Sequence, residues 1–211
     1  IQVVYQASGI SDSSMLSVLQ SSIQGDYFLH VGVLEKRKNL GSLIQAFDKL
    51  TRIKGYESLR LVLVGQRGPR ETLDDYDHLV ELVTTLGLTE KVDFTGYVSQ
   101  DQLASYFHHA LGYVFPSVNE GFGLPAFEAF GEGARVIAHT GTPANQILDS
   151  QEGVLFDNLL DEKKVIDSYR KMLPQNFGNV IQRRLFLESI NATWVSSTKK
   201  YVELYRHVLR L

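Results

Sequence analysis

The sequence has no cysteine. Disulfide scaffolds, thiolate zinc sites, iron–sulfur clusters and cysteine nucleophiles are therefore excluded, and a reducing, cytoplasmic setting is compatible with the chain. A basic excess is missing as well: 21 Lys and Arg stand against 24 Asp and Glu, for a net charge of -3. A surface built for nucleic acid needs cations in surplus to neutralise phosphates, so no nucleic-acid partner is expected. No apolar run approaches the roughly 20 residues that cross a bilayer, so no transmembrane segment is expected. Ile1 to Gln6 has neither a basic region nor an initiator Met, so no signal peptide is expected there and the start reads as that of a fragment. There is no internal repeat, no low-complexity tract, no Walker A sequence and no Gly-x-Ser-x-Gly elbow.

What is present is a regular alternation. Hydrophobic residues make up 44% and charged residues 21%, the proportions of an ordinary globular domain. Apolar runs at Tyr27 to Val33, Leu59 to Val64, Val92 to Phe94, Tyr113 to Phe115, Arg135 to His139 and Val154 to Phe156 read as strands. Their near-continuous apolar character suits strands buried on both faces. Between them lie helical patterns. One carries Leu40, Leu43, Ile44, Phe47 and Leu50 with Asn39 as N-cap. Others hold Leu79 to Leu86 with Gly87 at the C′ position, Leu103 to Ala110, Leu124 to Gly131 and Pro143 to Leu148. Lys164 to Leu173, Val180 to Glu188 and Trp194 to Leu209 follow as C-terminal helices. Gln66 to His78 reads as a polar loop with too little apolar content to pack. Six strands alternating with helices predict an α/β fold: a Rossmann-like, doubly wound parallel sheet with C-terminal helices. The expected organisation is an interdomain strand and linker over residues 1–25, a ligand-binding domain over 26–175 and C-terminal helices over 176–211.

In such sheets ligands bind outside the carboxyl ends of the strands, so the loops there carry the functional argument. The first runs from Gly32 to Asn39. Arg37 and Lys38 are adjacent cations beside a helix N-terminus, which suits a diphosphate through charge and free backbone N–H groups. A solvated basic turn is the competing reading. The second loop, Pro116 to Glu128, follows a strand and enters a helix. Gly121 and Gly123 permit close backbone approach, Pro125 sits in the first helical turn, and N–H groups around Gly123 and Leu124 would face an anion. Glu120 and Glu128 flank the turn and can each grip sugar hydroxyls as acceptors. A solvated helix residue and a helix-dipole partner are their plainer readings. The third loop, Thr95 to Val98, could present backbone to a base and Tyr97 as a stacking ring, against the plainer reading of Tyr97 as a packing residue.

Three apparent signals carry less. Gly121, Gly123 and Ala126 spell G-x-G-x-x-A, but after a late strand and with no acid about 20 residues on, so NAD binding is rejected. Asp75-Tyr76-Asp77 spells D-x-D, and a helix-dipole role explains it more simply than a metal. His108 and His109 are adjacent and diverge by about 100° on a helix, so they cannot easily share a metal.

The second loop, Glu120-Gly-Phe-Gly-Leu-Pro-Ala-Phe-Glu128, resembles the E-x7-E motif of family-four retaining GT-B glycosyltransferases. His30-Val-Gly32 followed by Arg37-Lys38-Asn39 is similar to a segment of that family's mannosyltransferases. Leu63-Val-Gly65, Val92 to Val98, Phe115-Pro116-Ser117 and Gly141-Thr142-Pro143 extend the resemblance over roughly residues 27 to 157, and Trp194 to Tyr205 is similar to the family's closing helix. Val33 departs from it, since many members carry Arg directly after that Gly.

The resemblance implies the C-terminal, donor-binding half of a hexosyltransferase, mannose being one candidate sugar, acting in polysaccharide biosynthesis on a glycan or lipid-linked acceptor. It implies a GDP- or UDP-hexose as ligand, no metal or other cofactor, and a partner in the N-terminal acceptor domain of the same enzyme. It further implies a cytoplasmic enzyme attached peripherally to the membrane. Residue by residue, Glu128 would bind ribose and Glu120 the donor-sugar hydroxyls. Arg37 and Lys38 would neutralise the leaving diphosphate, with Gly32 and Ser117 lining the same site. Gly121, Phe122, Gly123 and Leu124 would approach the sugar and phosphates, and Tyr97 and Val98 would lie near the base. A non-catalytic nucleotide-binding module of the same architecture is the alternative.

Overall fold

The computed structural model describes residues 23–142, 144–148 and 154–157, together with 163, 164, 166, 167, 202 and 206. The expected Ile1 to Tyr5 strand, nearly all of the linker and the C-terminal helices lie outside the described residues, apart from those single positions. Six strands form one sheet: β1 (Tyr27–Val31), β2 (Arg60–Val64), β3 (Val92–Gly96), β4 (Gly112–Phe115), β5 (Val136–His139) and β6 (Val154–Asp157). Their order is β3-β2-β1-β4-β5-β6, and every pairing is parallel. This is the doubly wound arrangement, in which chain direction across the sheet reverses between β1 and β4.

Helices cover both faces, which is why the strands are apolar throughout rather than alternating. α1 (Leu40–Thr51) and α2 (Tyr76–Thr85) bury Leu43, Ile44, Phe47, Leu79 and Val83 against Phe28, Leu61 and Leu63. α3 (Gln100–His109) and α4 (Leu124–Gly131) bury Phe107, Ala126, Phe127 and Phe130 against Tyr27, Leu29, Val62 and Val64 on the opposite face. Successive residues of β1 and β2 thus feed two separate cores, as the period of two requires. α5 is a single turn, Asn145–Leu148.

The helix ends follow from local chemistry. Ser99 and Gln102 form a reciprocal capping box at the start of α3, Ser99 Oγ accepting from Gln102 N–H and Gln102 Oε1 from Ser99 N–H. After α2, Gly87 takes φ 72°, its N–H reaching the Thr84 carbonyl while Leu88 N–H reaches Val83. That is a Schellman ending, with the glycine where the sequence pattern predicts it. Asn39 is different. It stands at the N-cap of α1, but in left-handed backbone (φ 55°) and with no side-chain bond to the helix N–H groups. Its Oδ1 instead accepts from the Ser42 hydroxyl at 2.8 Å. Asn serves because it tolerates the left-handed region that ends the preceding 3-10 turn, Lys36–Lys38.

Gln66 to His78 is also not the unpacked loop its composition predicts. Its backbone is laced to the loop after β1: Leu34 N–H donates to Gln66, Lys36 N–H to Leu73, and Asp75 N–H to Leu34, each at 2.9–3.0 Å. Polar side chains did not prevent order because the main chain supplies the bonds.

Candidate active site

β1 and β4 are neighbours at the point where the winding reverses, and the loops leaving their carboxyl ends meet there. Residues 82 and 83 positions apart in the chain are brought together. Arg37 Nη1 lies 2.9 Å from Glu120 Oε1, and the Lys38 ammonium bonds the same oxygen. Arg37 also donates to the Asn119 carbonyl at 3.3 Å, and Val118 N–H donates to the Arg37 carbonyl at 3.3 Å. The two loops are thus tied through backbone as well as charge.

The cations differ in setting. The Lys38 side chain is 7% exposed and the Arg37 side chain 45%, so Lys38 belongs to the floor of the site and Arg37 to its rim. Lys38 Nζ stands 5.7 Å from the centre of the Phe115 ring. Arg37 is oriented by Glu35, a buried carboxylate 2.7 Å from its Nε. Sequence spacing gives no warning of that pair, because residues two apart do not face each other on an α-helix. The 3-10 turn that follows Glu35 brings them together. With Glu35 and Glu120 set against Arg37 and Lys38, the cluster is neutral overall. Burial works to raise the Glu120 carboxyl, but the Lys38 hydrogen bond and charge, Arg37 and the Ser117 hydroxyl together hold it below the usual carboxylate range.

Beneath this cluster the walls are aromatic. Tyr113 and Phe115 of β4 stack at 6.1 Å, and Tyr113 stacks on His30 of β1 at 6.2 Å. Burial, then the charges of Glu128 and Glu120, push the Tyr113 phenol well above its ordinary range. The charges of both carboxylates of the expected pair, Glu120 and Glu128, thus reach one buried hydroxyl. His30 is fully buried; its Nδ1 lies 2.9 Å from the Val114 carbonyl. Burial first, then the Lys38 charge, lower its pKa to about 4, so the ring is neutral near neutrality. In the sequence Tyr113 is only a strand residue, and His30 enters only as part of the His30-Val-Gly32 segment.

The glycines explain how closely the loops pack. A Cβ on Gly65 would fall 1.8 Å from the Gly32 carbonyl oxygen, so β1 and β2 can close at their ends only with glycine there. Gly32 N–H donates to Val64 and Gly65 N–H to Gly96, which links the first loop to the third. Gly123, the N-cap of α4, has φ 84°, and a Cβ there would stand 3.1 Å from Phe115. Gly121 faces open space and meets no such constraint. Phe122 stacks face to face on Phe127 at 4.6 Å, which pins the glycine turn onto α4, and Leu124 opens that helix.

The third loop stands farther along the rim. Tyr97 is 75% exposed, so it is not the packing residue that its plainer reading describes, while Val98 packs against the core around β4. Asp75 and Asp77 are engaged elsewhere: Asp75 with His78 at 3.1 Å, Asp77 with Arg67.

Residues 19–183 match the family described as "Glycosyl transferases group 1". The chain belongs to the group 1 glycosyl transferases. It is 28% identical over 207 residues to the O-antigen chain mannosyltransferase RfbU of Salmonella typhimurium, covering 94% of this chain and 54% of that protein. It is 32% identical over 167 residues to a mouse GDP-Man:Man(3)GlcNAc(2)-PP-Dol alpha-1,2-mannosyltransferase, covering 76% of this chain and 34% of that protein. The chain spans about half the length of RfbU and less of the mouse relative. Among solved structures, sucrose-phosphate synthase of Thermosynechococcus elongatus superposes with a TM-score of 0.71 at 24% identity, covering 89% of this chain and 46% of that one. The Anabaena HepE protein in complex with UDP gives 0.70 at 19% identity, covering 86% of this chain and 48% of that one. The fold of this group 1 domain is thus one Rossmann-like half of a GT-B glycosyltransferase. Among its described residues no helix is long and apolar enough to cross a membrane.

Proposed function

We propose that the chain is the donor-binding domain of a retaining hexosyltransferase that takes a GDP- or UDP-hexose. The observation that carries the reading is the junction of Arg37, Lys38 and Glu120 at the switch point of the sheet. Two cations and a helix N-terminus suit a diphosphate, and carboxylates beside a glycine turn suit sugar and ribose hydroxyls. In this reading the diphosphate draws Arg37 and Lys38 toward itself, and Glu120, loosened from both, accepts from the donor sugar. Glu128 holds the ribose. Gly32, Ser117, Gly121, Phe122, Gly123 and Leu124 line the sugar and phosphates, and Tyr97 and Val98 flank the base. Preorganised cations stabilise negative charge on the departing diphosphate, which is electrostatic catalysis of leaving-group departure. Several relatives are mannosyltransferases by name, which supports mannose as the sugar and a glycan or lipid-linked acceptor in polysaccharide assembly.

The same reading assigns residues 1–25 to an interdomain strand and linker, 26–175 to the donor domain and 176–211 to C-terminal helices. The acceptor is then held by an N-terminal domain of the same enzyme, working in the cytoplasm and peripheral to the membrane. The deciding experiment is titration calorimetry of the chain with UDP, GDP and their hexose conjugates, followed by turnover of the bound donor by the full-length enzyme. NMR of the product anomer reads retention. Binding of none of the four ligands would refute the proposal. Binding without turnover would leave a nucleotide-binding module.

A further inference from the structure

His30 is a buried polar residue that the donor-binding reading leaves unused. It is 0% exposed, and its Nδ1 faces the Val114 carbonyl at 2.9 Å. A carbonyl oxygen can only accept, so Nδ1 carries the hydrogen and the neutral ring presents a bare lone pair at Nε2. That Nε2 is buried and has no hydrogen-bond partner in the protein. Buried acceptors are almost always satisfied, so an orphan of this kind calls for a donor. Gly32 borders this nitrogen. A Cβ built on Gly32 would stand 3.4 Å from His30 Nε2 and 3.6 Å from both Nζ and Cε of Lys38. The notch left by the missing side chain is therefore bounded by an acceptor without a donor and by an ammonium. An ammonium has three hydrogens, and Lys38 directs one to Glu120.

We propose that His30 is the positioning residue for Lys38: its Nε2 accepts from the Lys38 ammonium across the Gly32 notch, holding that cation in place when the diphosphate draws it off Glu120. This deepens the donor-binding reading and rests on it. Glu120 and Lys38 both stand near the ring, and their opposite charges act on it in opposite senses. The two nitrogens are not bonded in the structure, so the pairing is made on ligand binding, directly or through one water. A neutral acceptor suits this task. A carboxylate there would compete with the diphosphate for Lys38, and a protonated imidazole would repel it.

The test is a coupling measurement with UDP and GDP as probes, read by calorimetry on the whole chain. Asn at position 30 keeps an amide near Nδ1 for Val114 but removes the Nε2 acceptor. Gln returns a polar atom near the Nε2 position. His30→Asn should weaken UDP and GDP binding about tenfold, the size of one charge-assisted hydrogen bond, and His30→Gln should recover most of it. In a Lys38→Met background, His30→Asn should cost nothing further, because the partner is already gone. An undiminished cost in that background would overturn the proposal, as would unchanged affinity in His30→Asn. Imidazole ¹⁵N NMR of the unmutated protein is a second reading that needs no variant. The Nε2 resonance should shift toward a hydrogen-bonded acceptor on adding UDP or GDP, and an unmoved resonance in the nucleotide complex overturns the pairing. Failure of the unmutated chain to bind either nucleotide would instead sink the donor-binding reading, a distinct result.

Discussion

At the scale of single residues, the candidate site holds charges of opposite sign at different depths. Lys38 is nearly enclosed, Arg37 is half open, and both meet one carboxylate oxygen of Glu120. Removing Lys38 should therefore cost more than its share of Coulomb attraction, since Glu120 would be left largely desolvated. Lys38→Met should weaken nucleotide binding by roughly 1.5–3 kcal/mol, as for other hydrogen bonds to charged groups, with calorimetry as the check. The two glutamates should separate by ligand. Glu128→Ala should weaken UDP or GDP by a comparable ~1.5–3 kcal/mol, having removed the proposed ribose acceptor. Glu120→Ala should lower affinity chiefly for the sugar conjugate. Equal losses for both ligands in both variants would show the roles to be wrongly divided. His30 gives a pH signature. Its folded pKa of about 4 lies below the ordinary 6.5, so above 6.5 the ring is neutral in both states and adds no penalty. As the pH falls from 6.5 toward 4 the unfolded chain takes up a proton that the folded one refuses. Stability should then decline by up to about 1.4 kcal/mol per pH unit and roughly 3 kcal/mol in all. Urea denaturation across that range should show the decline, and His30→Gln should flatten it. A decline of the same size in the variant would assign the effect to other groups. Glu120, with its lowered pKa, adds a separate loss at more acid pH, as the carboxylate takes a proton.

At the scale of elements, strand ends and helix starts are where the chain is least tolerant. Gly65→Ala would drive a methyl into the Gly32 carbonyl, so the ends of β1 and β2 would have to part. The variant should lose several kcal/mol of stability, beyond the ~1–3 kcal/mol of ordinary overpacking, measured by urea unfolding. Gly123→Ala combines left-handed backbone with a 3.1 Å contact to Phe115. It should cost about 1–3 kcal/mol and weaken donor binding too, since the glycine turn carries the loop between Glu120 and α4. Ser99→Ala is the comparison at the start of α3, next to the third loop: loss of the capping box should cost about 1 kcal/mol and weaken nucleotide binding less than Gly123→Ala does. If Ser99→Ala weakened nucleotide binding as much as Gly123→Ala, the special place given to the glycine turn would fall.

At the scale of the whole molecule, the doubly wound sheet supplies the site as a by-product of its topology. Reversing the winding between β1 and β4 opens a crevice there, and the loops after those strands must line it. The charge needed for a diphosphate comes from side chains, so nucleotide binding should survive EDTA. Calorimetry with and without chelator checks this; collapse of affinity that Mg²⁺ or Mn²⁺ restores would return attention to Asp75 and Asp77.

Much of this was legible before any coordinates. Continuous apolar runs of strand length meant strands buried on both faces, and their alternation with helical periodicity left a parallel doubly wound sheet as the simplest solution. Gly87 and the glycine turn before α4 could be read because φ > 0 and close approach are properties of the residue itself. Glu120, Arg37 and Lys38 could be read as candidates because loops at carboxyl strand ends are where such folds bind ligands. Their direct contact could not, since partners 82 residues apart meet only through strand order. The ordering of Gln66 to His78 depends on main-chain bonds to the loop after β1, while Asn39 as a backbone device and Glu35 turned onto Arg37 follow from a 3-10 turn that no periodicity in the sequence marks. His30 is the clearest case. In the sequence it stands in an apolar strand and in the His30-Val-Gly32 segment, and burial against Val114 and Tyr113 is what fixes its tautomer, keeps it neutral and leaves its Nε2 beside the Gly32 notch. Local conformation is written residue by residue, whereas protonation and partnership are set by what the fold packs around each group.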